Sequence, residues 1–153
     1  MTDKKVIEHL NIVLKNELTA INQYFLHSKI AKNSGFMKLA AKEYEESIDE
    51  MKHADIIAER ILFLGGLPNF QDLGKLFIGE SPIEILECDS KMEEGNIKDL
   101  RAAAVYVDSV NDYGTSDLLE GILLSEEEHA LHLRQQKGLL ESLGEQNYNQ
   151  SQV

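Results

Sequence analysis

Glutamate precedes histidine by three residues twice in this chain, at Glu50-x-x-His53 and Glu126-x-x-His129. Each pair has a lone glutamate 33 residues upstream, Glu17 and Glu93, and the second trio repeats the first at an offset of 76 in all three positions. Helical residues three apart sit about 60° apart around the axis, so each pair can aim a carboxylate and an imidazole at one point. One such pair is an ordinary feature of a solvated helix. Two pairs with matched glutamates give four carboxylates and two imidazoles, a ligand set for a pair of metal ions, and they require the two halves of the chain to face one another.

Length and charge limit what such a chain can be. At 153 residues it is long enough for one domain, 1–153, with a sizeable core. A formal charge of −12 disfavours nucleic acid, which needs clustered Lys and Arg, and suits attraction of cations. No apolar run approaches the roughly 18 residues that span a bilayer, so no membrane partner is expected. The start, Met-Thr-Asp-Lys-Lys, leads straight into an amphipathic pattern, and Cys88 stands alone, without a disulfide framework. A reduced, cytoplasmic setting is the expectation.

Apolar periodicity predicts four long helices. The first runs from about Lys4 to Asn33, with Leu10, Val13, Leu14, Ile21, Tyr24 and Phe25 at helical spacing, and Ser34-Gly35 interrupts it. The second runs from about Met37 to Leu64 and stops at Gly65-Gly66-Leu67-Pro68. Ser81-Pro82-Ile83-Glu84 opens the third with a cap residue and a first-turn proline, and it continues to about Asn111. The fourth runs from about Ser116 to Leu143, and the tail from Glu145 either forms a short fifth helix or frays. Short links make the first and second, and the third and fourth, antiparallel neighbours. The stretch from Gly65 to Ser81 can reach about 50 Å, against about 42 Å for the second helix, so it can cross the bundle lengthwise and start the third helix parallel to the second. The expected fold is all-α, a four-helix bundle with one long crossover and a short C-terminal fifth helix.

Helical phase points the ligands inward. Glu17 shares a stripe with Leu10, Val13, Leu14, Ile21 and Tyr24, and Glu126 shares one with Leu119, Ile122, Leu123, Ala130 and Leu133. Glu93 lies with Leu86, Ile97 and Leu100, whereas Glu94 lies with Glu87, Lys91, Lys98 and Arg101 and faces water. The Glu50 stripe is less clean, with Ala54 and Ile57 on one side and Glu43, Glu46 and Ser47 on the other. Unpartnered buried carboxylates cost several kcal/mol each, and two divalent cations would offset four of them. An oxygen-rich set of this size suits iron or manganese rather than structural zinc. The pseudo-symmetry makes Glu50 and Glu126 bridges, with Glu17 and His53 terminal on one ion and Glu93 and His129 on the other.

Five stretches are similar to the bacterioferritins: Asn16-Glu-Leu-Thr-Ala-Ile-Asn-Gln-Tyr-Phe25, Glu46-Ser-Ile-Asp-Glu-Met-Lys-His-Ala-Asp55, Leu62-Phe-Leu-Gly-Gly-Leu-Pro-Asn69, Gln71-Asp-Leu-Gly-Lys75 and Asp108-Ser-Val-Asn-Asp-Tyr113. The resemblance covers essentially the whole chain. It implies the ferritin-like bundle and a hollow homo-oligomeric shell of 24 subunits built from dimers. Each subunit would oxidise Fe²⁺ with dioxygen or peroxide at a centre for two iron ions, and ferric mineral would be stored inside. The family's six ferroxidase ligands fall on Glu17, Glu50, His53, Glu93, Glu126 and His129. The resemblance also implies one b-type haem per subunit pair, held by Met51 from each subunit, and a small ferredoxin as electron donor for iron release. A lone cysteine excludes the cysteine-rich second domain of a rubrerythrin-like peroxidase. A complete ligand set within one chain separates it from mini-ferritins, whose site lies between subunits.

Met51 sits about 100° from Glu50 and about 160° from His53 around the helix, so it points away from the metal ligands. Tyr24 is expected either near the metals or as an ordinary core residue. Glu45 and Asp49, four apart, could present carboxylates to a shell interior. His9, His27 and His132 are expected at the surface or in packing, Met37 and Met92 as core or interface fillers, and Cys88 as a small apolar filler.

Overall fold

The computed structural model describes residues 3–153. Its five helices are α1 (Lys4–Asn33), α2 (Met37–Phe63), α3 (Pro82–Ser109), α4 (Tyr113–Leu143) and α5 (Glu145–Ser151). Each long helix starts where its sequence supplies a stop or a cap. Asp3 accepts the Lys5 N–H to open α1. Ser81 accepts the Glu84 N–H at α3, and the Glu84 side chain reaches back to the Glu80 N–H at 3.0 Å. Gly35 and Gly65, with φ of 87° and 86°, turn the chain out of α1 and α2 in the left-handed region.

Two boundaries differ from the sequence expectation. α3 ends at Ser109 rather than near Asn111, and α4 begins at Tyr113 rather than near Ser116. Asn111 adopts φ 62°, and Asp112 accepts the Thr115 N–H, so the cap lies three residues earlier than the apolar pattern suggests. Arg60 of α2 closes this corner, 3.2 Å from Asp112 and 3.0 Å from Thr115 Oγ1. A Cβ on Gly114 would meet the Arg60 guanidinium at 2.7 Å, so glycine makes room for that approach.

The crossover has no secondary structure, and its backbone N–H groups need partners. Every fourth residue of α1 touches it. Asn11 accepts the Asn69 N–H at 2.9 Å, Lys15 pairs with Asp72 at 3.5 Å, and Thr19 accepts the Gly74 N–H at 2.8 Å. Gln23 then accepts the Phe77 N–H at 2.9 Å and His27 the Gly79 N–H at 2.9 Å. This polar ladder holds the crossover alongside α1, so that α3 starts beside the end of α1. A Cβ on Gly79 would lie 2.5 Å from the Glu84 and Ile85 backbone, so only glycine fits there.

The interior is layered. One end is apolar, built from Val6, Leu10, Leu14, Ile57, Ile61, Val107, Leu119 and their neighbours. The buried charged residues Glu17, Glu50, Glu93 and Glu126 lie between this end and a mixed end of smaller clusters. α5 is ordered through Tyr148, which is fully buried against Leu86 and Leu133 and donates to Gln136 at 2.7 Å. Among the described residues, no helix is long and apolar enough to cross a membrane.

Candidate metal centre

Each of the four long helices contributes to the centre. α1 supplies Glu17, α2 supplies Glu50 and His53, α3 supplies Glu93, and α4 supplies Glu126 and His129. The glutamates are 0–1% exposed and the histidines 8% and 6%. Two four-residue groups emerge, Glu17–Glu50–His53–Glu126 and Glu50–Glu93–Glu126–His129, each with ligand atoms within 4.8 Å of one another. Glu50 and Glu126 stand in both. His53 Nδ1 lies 3.3 Å from Glu17 and 3.0 Å from Glu126, and His129 Nδ1 lies 3.0 Å from Glu50 and 3.6 Å from Glu126. The two imidazoles face each other with centroids 6.5 Å apart.

The electrostatics are those of crowded, buried carboxylates. Burial, reinforced by neighbouring carboxylates, pushes the carboxyls of Glu17, Glu50 and Glu93 well above the ordinary range. For Glu126 burial acts in the same upward direction, but hydrogen bonds with Glu93, both histidines and Glu50 outweigh it and hold the group below the ordinary value. Burial opposes charge on the imidazoles, yet hydrogen bonding to Glu126 raises both His53 and His129. Five carboxylate oxygens of the centre, Glu17 Oε1, both of Glu50, Glu93 Oε2 and Glu126 Oε2, are buried without a hydrogen-bond donor. Native interiors rarely leave such atoms unpaired, and two divalent cations bound here would pair all of them. The residues therefore fit a two-metal site of oxygen-rich type.

Further residues surround the His129 side. Glu46 Oε2 lies 2.5 Å and Asp49 Oδ2 3.3 Å from His129 Nε2, and Lys42 pairs with Glu46 at 2.9 Å. Tyr24 is buried, donates to Glu93 Oε1 at 2.9 Å and packs edge-on against His129. Sequence reasoning left Glu43 and Glu46 as a blemish on the Glu50 stripe, and both are buried. Their spacing of seven and four residues before Glu50 was the available signal, since it places all three acids on one helical face. Glu45 points outward with its side chain 66% exposed. His9 stacks on Tyr106 with centroids 5.0 Å apart, and His132 lines a narrow cleft with Lys42, Glu46 and His129. His27 is fully buried and hydrogen-bonded to Asp89.

Met51 lies outside the centre. It is 52% exposed and lines a groove of about 670 Å³ with Leu18, Ile21, Ile48, Ala54 and Phe70. The groove walls are mostly apolar, with Lys52 and Asp55 among them.

A bundle of this topology with a buried carboxylate–histidine core is the ferritin-like class, and residues 7–143 match the ferritin-like domain model. The bacterioferritin of Rhodobacter capsulatus is 46% identical over 146 residues, covering 95% of this chain and 91% of that protein. The bacterioferritin of Streptomyces coelicolor is 43% identical, covering 95% and 87%, and that of Brucella melitensis 41%, covering 97% and 92%. The chain belongs to the bacterioferritin family.

Proposed function

We propose that this chain is the subunit of an iron-storing shell and oxidises Fe²⁺ at the six-residue centre. One observation carries the reading: two four-residue ligand groups share Glu50 and Glu126, and five of their carboxylate oxygens are buried without donors. Fe²⁺ is the substrate. Glu17 and His53 would hold one ion, Glu93 and His129 the other, and Glu50 and Glu126 would contact both. Shared carboxylates keep two ions within roughly 4 Å, close enough to reduce one oxidant together. Each Fe²⁺ loses one electron. Dioxygen takes up the two electrons with two protons and becomes hydrogen peroxide, or peroxide takes them up and becomes two waters. Ferric iron would then collect in the cavity of a 24-subunit shell built from dimers.

The exposed Met51 groove supports a b-type haem between paired subunits, which Met51 from each would hold. When bound, such a haem supplies one-electron transfer, and a small ferredoxin is the class of donor that would use it. A cytoplasmic setting accords with a single cysteine and these redox partners.

The test is aerobic addition of Fe²⁺ with ferric absorbance followed in time, alongside sedimentation to size the assembly. We expect oxidation well faster than buffer and a particle of about 24 chains. A buffer-like rate would sink the oxidation claim, and a stable dimer would sink the shell. Met51→Leu is expected to remove the haem Soret band while sparing oxidation, and a retained band would refute the haem assignment.

A further inference from the structure

Apart from the six-residue centre, a second buried polar cluster joins three helices and the crossover. His27 from α1, Glu43 from α2 and Asp89 from α3 are 0%, 3% and 0% exposed, and one ligand-type atom of each lies within 4.8 Å of the others. By composition alone this cluster could hold a small cation. Its hydrogen bonds say otherwise. His27 Nε2 accepts the Gly79 N–H, so that nitrogen carries no proton. A neutral ring then has its proton on Nδ1, which donates to Asp89 Oδ1 at 2.9 Å. Neither ring nitrogen has a lone pair left for a metal ion. Gln23 is committed as well, accepting from Phe77 and donating to Asp89 Oδ1 at 3.0 Å.

Asp89 Oδ1 thus receives two donors, while Asp89 Oδ2 and Glu43 Oε2 are buried with none. An unsatisfied buried acceptor is unfavourable, and two adjacent buried carboxylate charges cannot both persist unpaired. A single proton between them removes both problems.

We propose that Glu43 and Asp89 form a buried proton-binding site, in which Glu43 is the neutral acid donating to Asp89, and Asp89 fixes the His27 tautomer that receives Gly79. Burial first, then the charge of Asp89 and the hydrogen bond to it, pushes the Glu43 carboxyl well above the ordinary range. The other groups around Glu43 do not supply a compensating cation. They are Glu46 on α2, Glu93 on α3, Tyr24 on α1 and Tyr148 on α5, with Lys42, His129 and His132 along the cleft that Glu43 lines. Lys42 and His129 are both already paired with Glu46. The last rung of the crossover ladder therefore depends on one retained proton. Because the folded-state value is raised, the stability contribution is complete below the ordinary carboxyl range and is lost as pH rises toward the folded value.

Glu43→Gln keeps a donor to Asp89 and removes the need for the proton. Infrared difference spectra of chelator-treated wild type against this variant at about pH 7 should isolate a protonated-carboxyl C=O band that shifts in D₂O. The protonated acids of the metal centre are common to both samples and cancel. Thermal melts should show the variant at least as stable as wild type, with its advantage growing from about pH 5 to about pH 8. Asp89→Asn, which weakens the acceptor of three donors, should melt below wild type throughout that range. The proposal is overturned by the absence of a difference band or by a Glu43→Gln protein that melts lower at every pH. Loss of one bound Zn²⁺ equivalent per subunit in Glu43→Gln would also overturn it, by making the cluster a metal site.

Discussion

The two sides of the metal centre carry the same ligand types in different surroundings. Beyond His53 on α2 come Ala54, Ile57 and Ile61, which belong to the large apolar cluster with Leu10, Leu14 and Leu119. Among the described residues, His53 has no carboxylate within ion-pair distance beyond Glu17, Glu50 and Glu126. His129 adds Glu46 and Asp49 at its other nitrogen and the Tyr24 ring at its edge. The internal repeat therefore specifies the inner ligands and stops there. An imidazole backed by further carboxylates is oriented and made more basic, whereas His53 pairs only with carboxylates of the inner set among the described residues. The two ions should differ in how firmly they are held and how readily they exchange.

The largest expected effect comes from removing what the two sides share. Glu126→Gln withdraws a carboxylate from both groups, so binding of Co²⁺ should fall below two equivalents and Fe²⁺ oxidation should drop by about a hundredfold or more. Glu17→Gln touches only the His53 group and should leave one strong equivalent at the His129 side. Spectroscopic Co²⁺ titration distinguishes the two. If Glu126→Gln still binds two equivalents with wild-type affinity, Glu126 is not shared. Both variants replace a buried acid by a neutral isostere, so neither should lose helical signal.

Proton competition is the next largest. Glu17, Glu50, Glu93, His53 and His129 all have raised folded-state values, and metal must displace the protons they hold. For a raised group, stability is complete below its unfolded value and is lost as pH rises. The metal-free bundle should therefore weaken as pH rises through the near-neutral range. Glu126, held low, has the opposite sign, and its contribution is lost only at strongly acid pH. Added Co²⁺ should then raise the melting temperature more at about pH 7.5 than at about pH 5.5. Ligand at a hundred times its dissociation constant adds about 2.7 kcal/mol, roughly 5–10 °C for a chain of this size. An equal gain at both pH values would mean that these groups are already deprotonated.

Helical phase was enough to read from sequence that Glu17, Glu93 and Glu126 face the interior, because each lies on an otherwise apolar stripe, and all three are buried. The four long helices and the crossover were legible for the same reason, with Gly65, Pro68 and Ser81 marking where periodicity breaks. Glu43 and Glu46 share the Glu50 face by spacing, but acids on a half-apolar helix ordinarily face water. Their burial shows only in the tertiary arrangement, with His27 and Asp89 beside Glu43 and His129 beside Glu46. The ladder of Asn11, Lys15, Thr19, Gln23 and His27 was invisible for a different reason. Its partners are mostly backbone N–H groups of an irregular segment, which carry no side-chain signal. His27, expected at the surface or in packing, is a buried hydrogen-bonding residue at the last rung of that ladder.

The smallest expected effect tests the asymmetry alone. Burial acts against charge on Glu46, but His129 and Lys42 outweigh it and hold the group low, and the ion pairs of its carboxylate are with His129 and Lys42. Glu46→Gln should leave all six inner ligands in place and weaken Co²⁺ binding on the His129 side by about tenfold, while the His53 side keeps wild-type affinity. Two equivalents should still bind at saturation, with the titration separating into a strong and a weak step. Fe²⁺ oxidation, which needs both ions, should slow only at low iron and recover as iron is raised. Should both steps weaken together, Glu46 would be acting through the shared carboxylates rather than through His129. In that case the different surroundings of the two histidines would not set the affinities of the two ions.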